Sequence, residues 1–312
     1  STLFPYTTLF RSTNFIETTV RVRQFPINYF PIDYSFFRIR SNVSGVAFNL
    51  SKALKTLGND VRLASFVGND AESDRIRSAL DDMGIPTHAV FGELPETPAS
   101  VVLYDDAGRR QIYCDLKDIQ ERTLRIEAVQ EDLPDSRIAV LCNVNFNRAL
   151  LSEIKSMGLP IATDVHVLSD LNDGYNRDFM QAADILFLSD EKLPEEAERF
   201  ALRLKEVVPA KTIVIGRGEK GALLYDRSAD RLVRLSAANL GGVVNTVGAG
   251  DALFSAYLNY ALKGYLPIDA LIRAEVFAAL KIRTSGASAG FPAPKLVEET
   301  LKTAGIQLDQ LG

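Results

Sequence analysis

One short stretch carries the residue types of a transfer reaction. It reads N-T-V-G-A-G-D, residues 245–251, and runs directly into the apolar A-L-F-S-A-Y-L. Gly248 and Gly250 permit a tight turn and close approach of backbone to a ligand. A helix starting near Asp251 has unpaired N–H groups and the positive end of its dipole there. Gly248, Ala249, Gly250 and Asp251 therefore make a candidate anion site suited to phosphate oxygens. Asp251 has two readings. Either it caps the helix, or it accepts the proton of a substrate hydroxyl whose oxygen attacks a phosphoryl group held at the turn.

A second glycine cluster, T-I-V-I-G-R-G-E-K-G-A-L-L-Y, sets Gly216, Gly218 and Gly221 in G-x-G-x-x-G spacing. A dinucleotide-binding turn needs a helix next and an acid about twenty residues further on. Residues 222–225 read as a strand instead, and that acid is missing. Ala222 stands where a P-loop has its lysine. The segment is then either a strand–turn–strand edge at which a nucleotide lies close, or a plain glycine hairpin. An NAD-dependent oxidoreductase survives only as an alternative.

Other polar residues carry weaker signals. Asp164 and His166 follow a strand, so they face a site or form a structural pair. His88 has no evident partner. Asp115, Lys117 and Asp118 read as solvated charge or as a substrate contact, and Glu195, Glu196 and Glu198 as a solvated helix face. Cys114 and Cys142 are far apart and read as small buried residues, not as a disulfide or zinc framework.

The elements that must position these residues follow from periodicity. Residues 44–57 have helical spacing, with Gly58 as a stop, and 61–67 read as a buried strand. A helix is expected over 73–83, with Ser73 as a possible cap and Gly84 closing it. Short apolar strands at 138–141, 160–163, 185–188 and 212–215, with helical stretches between most of them, predict a mostly parallel sheet. From residue 245 onward the pattern is mainly helical. Residues 17–39 depart from this layering: T-T-V-R-V-R-Q-F alternates, then aromatics and two prolines follow. With the strands around 101–114, joined by a turn over 105–108, they make either a small separate sheet able to act as a lid or an edge extension of the main one.

The whole chain sets limits. It has 312 residues, 46% hydrophobic and 24% charged, as expected of a soluble globular enzyme. A net charge of −5 offers no dominant basic surface, so no nucleic-acid partner is expected. No apolar run reaches membrane-spanning length, so no membrane partner is expected either. The absence of a disulfide framework fits a cytoplasmic location. Residues 2–12, T-L-F-P-Y-T-T-L-F-R-S, resemble a translated sequencing adapter. Residues 1–16 are accordingly expected to be a non-native start that replaces a first strand, and the domain proper to span 17–312. The alternative is a genuine aromatic-rich strand.

N-T-V-G-A-G-D-A-L-F resembles the C-terminal signature of the ribokinase, or PfkB, family of carbohydrate kinases. Three further segments fall in that family's order: S-G-V-A-F-N-L-S-K-A-L with its closing L-G, V-R-L-A-S-F-V-G-N-D, and I-V-I-G-R-G-E-K-G-A. The resemblance covers roughly residues 17–290. It implies a ribokinase-like three-layer α/β/α sandwich with a mostly parallel central sheet and a small β-sheet lid, drawn from about 17–43 and 98–118. It implies ATP-dependent phosphorylation of a hydroxyl on a sugar or a nucleoside, with Mg²⁺ as metal and a possible homodimer through the lid. On this resemblance Asp251 is the general base and the amides of Ala249, Gly250 and Asp251 form the anion hole. Gly216, Arg217, Gly218, Lys220, Gly221 and Ser189 line ATP. Glu17, Ser44, Gly45, Asn49 and Asn143 contact the sugar. The pattern is broken at Asn245, Ser44 and Ala47. Ser189-Asp190-Glu191-Lys192 stands where the family has N-x-x-E, so a charge is reversed at Lys192; Asp190 or Glu191 would then hold the metal through water. That reversal motivates a non-catalytic sugar- or nucleotide-binding relative as a further alternative.

Overall fold

The structure is a computed structural model that describes residues 6–10, 14–107, 109–284 and 286–311. The adapter-like stretch contributes β1 (Tyr6–Phe10), while its residues 2–5 and 11–12 lie outside the described ones. Next come β2 (Phe15–Arg21), β3 (Ile39–Ser44), α1 (Val46–Thr56), β4 (Asp60–Val67), α2 (Ala71–Asp81) and β5 (Val90–Gly92). β6 (Ala99–Tyr104) and β7 (Arg110–Asp115) pair antiparallel as the expected hairpin, whose Gly108 lies outside the described residues. The chain continues through β8 (Ser136–Leu141), α3 (Arg148–Ser156), β9 (Ile161–Val167), α4 (Arg177–Ala182), β10 (Ile185–Ser189), α5 (Ala197–Val207) and β11 (Thr212–Gly216). It closes with β12 (Ala222–Asp226), β13 (Arg231–Leu235), α6 (Ala249–Leu262), α7 (Pro267–Lys281), α8 (Pro294–Leu301) and β14 (Leu308–Gln310).

Period-two alternation in the apolar strands produces the layers. In β8, Ile138 and Val140 join one apolar cluster while Ala139 and Leu141 join the other. In β10, Phe187 opposes Leu186 and Leu188; in β11, Val214 opposes Ile213 and Ile215. Both sheet faces are therefore covered, as a parallel sheet requires. Residues of α1, α6 and α7 pack on the first face, and residues of α3, α4 and α5 on the second. The strand order is β14-β13-β12-β11-β10-β9-β8-β1-β4-β5. β1 lies between β4 and β8, parallel to both, and the sheet stays parallel as far as β11. β12 to β14 continue it antiparallel. The fold is a three-layer α/β/α sandwich around a mostly parallel sheet, as expected.

The alternating segment forms a separate four-stranded sheet, β3-β2-β6-β7, not an extension of the large one. Its register decides which side chains share a face. Arg21 pairs with Tyr104, Tyr104 with Arg110, and the Arg21 N–H donates to Arg38 O. By alternation Glu17 lies on that same face, and so does Arg40, which pairs with Thr19. The connection from β2 to β3 exposes Tyr29, Tyr34, Phe36 and Phe37.

Four expectations change. Asp70, not Ser73, caps α2: its carboxylate accepts from Ser73 N at 2.9 Å, and Ser73 completes a capping box. His88 does have a partner, Asp132, at 3.0 Å. Cys142 is buried but Cys114 is exposed. Glu198 does not face solvent freely; it accepts from Arg217 at 3.0 Å and from Arg234 at 2.5 Å. For His88 and Glu198 the partners come from segments that sequence spacing alone does not connect.

Candidate active site

α6 begins at Ala249, and its N-cap is Gly248 at φ +79°. A Cβ at Gly248 would lie 2.7 Å from Ala287 O and 3.1 Å from Lys281 Nζ, so only glycine fits both the conformation and the space. No atom stands within 4 Å of a Cβ built at Gly250, so the turn is open there. Of the three expected amides, the Ala249 N–H turns back onto Thr246 O at 3.1 Å, which leaves those of Gly250 and Asp251 at this end.

Asp251 sits in the first turn of α6 and is not the cap. Asn49 Nδ2 donates to Asp251 Oδ2 at 2.8 Å, across 202 residues of sequence. Gly45 is the N-cap of α1, and its carbonyl accepts from the Asn49 N–H at 2.9 Å, which sets Asn49 in the first turn of that helix. Asn49 is buried, and its Oδ1 has no partner among the described residues. Such an atom needs a ligand or water to satisfy it. Two helix starts, α1 and α6, thus meet at one carboxylate.

Glu17 on β2 and Lys281 at the end of α7 complete the charged group. Burial pushes the Glu17 carboxyl up; Ser44 and the Lys281 cation oppose that, while Asp251 adds to it. Burial pushes Lys281 down to about 8, against the pull of Asp251 and Glu17. The Lys281 ammonium donates to the carbonyls of Val247 and Gly286.

A cavity of about 460 Å³ opens beside the turn. Its walls come from the C-terminal ends of β9, β10 and β11, where ligands of open α/β sheets bind. Ser189, Glu191, Gly216, Arg217, Gly218 and Gly221 line one side, and Gly248, Ala249 and Gly250 the other. Leu253 and Ala278 add apolar surface. Arg217 is held by Glu198 at 3.0 Å and approached by Asp190 at 3.8 Å. At Gly221 (φ +84°) a Cβ would meet Leu235 O at 2.1 Å, so the strand edge closes tightly behind this wall. β12 follows directly, which removes the helix that a dinucleotide-binding reading requires. A second cavity, about 800 Å³, lies between the small sheet and residues 243–247, and Arg21, Arg38, Arg40, Tyr104 and Arg110 line it.

Most expected residues converge, and three stand apart. Lys220 is exposed and off the cavity wall. Asp190 is turned toward Arg217. Asn143 spends its amide on Asn176 Oδ1 at 2.9 Å and Val165 O at 3.3 Å. Asp164 and His166 both line the first cavity, with His166 at φ +61°. Sequence reasoning missed Arg110, Glu275 and Lys281. Glu275 and Lys281 sit in an ordinary-looking amphipathic helix, and nothing in their spacing distinguishes them from surface charges. Among the described residues no group of three or more His, Cys, Asp or Glu could hold a metal ion. No helix among them is long and apolar enough to cross a membrane.

Residues 35–294 match the family model described as pfkB family carbohydrate kinase. Acarbose 7(IV)-phosphotransferase of Actinoplanes is 24% identical over 83% of this chain and 85% of its own length. The 2-dehydro-3-deoxygluconokinase of Bacillus subtilis is 23% identical over 80% and 83%. Among solved structures, a microbiome-derived acarbose kinase superposes with a TM-score of 0.85 at 24% identity, covering 96% of this chain and all of its own. Arabidopsis thaliana ribokinase complexed with ribose and ATP gives 0.81 at 19% identity, covering 96% and 99%.

Proposed function

Because the chain belongs to the pfkB family of carbohydrate kinases, we propose that it transfers the γ-phosphoryl group of ATP to a hydroxyl of a sugar or a sugar-like ligand such as a nucleoside. Asp251 takes the hydroxyl proton, and the oxygen forms a bond to γ-phosphorus as the bond to the β-phosphate oxygen breaks and ADP leaves. Charge gathering on the transferred group meets the Gly250 amide and the positive end of α6. The observation that carries this reading is the Asn49–Asp251 hydrogen bond, which holds a carboxylate beside a glycine turn on the wall of a nucleotide-sized cavity.

The glycine edge of β11 and the apolar Leu253 and Ala278 suit the nucleotide. Glu17, Ser44 and Asn49 suit the acceptor, and the small sheet serves as a lid that excludes water. Mg²⁺ has no three-carboxylate cage here, but it commonly binds through one or two carboxylates with substrate phosphates and water. Glu191 on the cavity wall is the carboxylate that fits this role. The ion would neutralise phosphate charge when bound. Exposed aromatics between β2 and β3 are compatible with pairing of two chains through the lid, which light scattering checks.

The test is ADP release from ATP and Mg²⁺ over a panel of sugars and nucleosides. Acceptor-dependent release is expected for at least one of them. Tight sugar or nucleotide binding with no release over the whole panel would leave a binding protein instead of an enzyme.

A further inference from the structure

The acids buried among the described residues are Glu17, Asp105, Asp164, Asp226 and Glu275. All but the last have partners inside the fold. Glu17 is bonded to Ser44, Asp105 to Arg109, Asp164 to the His166 N–H and Asp226 to Ser228. Glu275 is 6% exposed and makes no hydrogen bond or ion pair among the described residues. A buried carboxyl without a partner lowers stability and calls for one. This one stands on the wall of the first cavity. Its place there is set by the hairpin of α6 and α7, whose open end brings Gly248 against Lys281. Glu275 lies about 9 Å back from Lys281 along the axis of α7, at about 1.5 Å per residue. The apolar Leu253 and Ala278 fall between those two levels on the same cavity. The cavity thus has an amide end at the turn, an apolar middle and a lone carboxyl beyond. A nucleotide with its phosphates at the turn lays its base on the apolar middle and brings the edge of that base to Glu275.

On the kinase reading of the site, we infer that Glu275 reads the nucleobase, its carboxyl pairing with the amino group and ring nitrogen at one edge of adenine. Burial alone pushes this carboxyl up to about 8. The elements packed on α7 bring Asp251 on α6, Asp226 on β12, and Lys295, Glu298 and Glu299 on α8, and none of these charges shifts it. Nor do Arg110, Asp164, His166, Glu191 or Arg217 elsewhere on the cavity wall. At pH 7 Glu275 is therefore a neutral acid, with one donor beside one acceptor. Adenine shows the complement at N6–H and N7, whereas guanine shows two acceptors, O6 and N7, at the same edge. The neutral acid satisfies both adenine atoms but sets its own carbonyl oxygen against one guanine acceptor. Once ionised it has no donor for N7. The preference for adenine is thus largest below about pH 8 and weakens above it.

The test is calorimetry of the whole chain with Mg²⁺ and the unreactive imido analogues of ATP and GTP, with no acceptor present, at about pH 6.5 and about pH 9. At the lower pH the wild type should bind the ATP analogue about tenfold or more tightly than the GTP analogue, the scale of one bidentate base contact. That ratio should fall several-fold at the higher pH. Taking the ratio cancels what other titrating groups do to the phosphates that both analogues share. Glu275→Gln keeps a donor beside an acceptor and does not titrate, so its ratio should hold at both pH values. Glu275→Ala should bring the ratio near one at both. Equal wild-type affinities at the lower pH overturn the inference. So does a Glu275→Ala protein that keeps the preference, or a Glu275→Gln protein whose ratio moves with pH as the wild type's does. If Glu275→Ala does not fold, the wild-type and Glu275→Gln series still decide. Binding of neither analogue would overturn the kinase reading as well, whereas equal binding of both leaves that reading intact.

Discussion

Two positive regions flank the Gly248 turn, and they are built on opposite plans. Beneath it lies a single ammonium, buried and bonded to carbonyls. Above it, the face of the small sheet presents Arg21, Arg38, Arg40 and Arg110 to an open cavity. Arg21 is partly neutralised by Asp106. The buried charge is screened far less by salt than the exposed ones, whose reach falls off within a Debye length. One region can fix geometry, whereas the other can only bias which ligands arrive.

The acid between the two regions should be the most sensitive position. Asp251→Asn is expected to lower turnover at least about a hundredfold, the low end of general-base effects, with ATP affinity little changed. Near-normal turnover would remove the carboxylate from the chemistry and leave the two positive regions with nothing to serve.

Lys281 offers a pH test that separates geometry from stability. Its ordinary value is 10.5, and burial brings it to about 8, with Asp251 of α6 and Glu17 of β2 the anions that face it. Turnover should therefore fall as pH rises through about 8. Between about 8 and 10.5 the unfolded chain binds this proton more tightly than the folded one, so stability from this group rises with pH in the same window. Turnover and melting temperature followed from pH 7 to 10 should diverge. A parallel decline would mean that activity is lost through unfolding.

The exposed arginines should matter less. Replacing Arg38 and Arg40 together with alanine is expected to shift KM a few-fold at low salt, and the difference should vanish near 0.5 M salt, about the value at which screening confines such charges to contact range. A change that survives high salt would show that they bind as directly as the buried ammonium does.

A smaller effect is expected on the wall of the first cavity. Burial pushes the Glu275 carboxyl from 4.5 up to about 8. Its contribution to stability is complete below about pH 4.5 and is lost as pH rises through 8. Glu275→Gln should raise the melting temperature at pH 8.5 by a few degrees and leave it nearly unchanged at pH 5. Equal melting curves at both pH values would mean that this carboxyl is solvated.

Much of this molecule was legible before any coordinates. The short apolar runs at 138–141, 185–188 and 212–215 predicted strands of a mostly parallel sheet, and helical spacing over 44–57 predicted α1. The glycines around Ala249 marked a helix start able to meet an anion, because turn chemistry is local. The capping role of Asp70 was legible in principle too, since D-A-E-S can form a capping box, with the cap at its first residue and not at the serine.

What remained hidden depends on distance along the chain. Asn49 meets Asp251 across a sequence separation of 202, and no pattern within either helix predicts that bond. Nothing in the sequence around Lys281 and Glu275 sets them apart from surface charges, since helical periodicity shows which side chains share a face but not which face another segment covers. Sequence alone determined the elements and the chemical types at the turn. Only the packing of α1, α6 and α7 decided which carboxylate, amide and ammonium converge, because burial and partnership are properties of the folded chain.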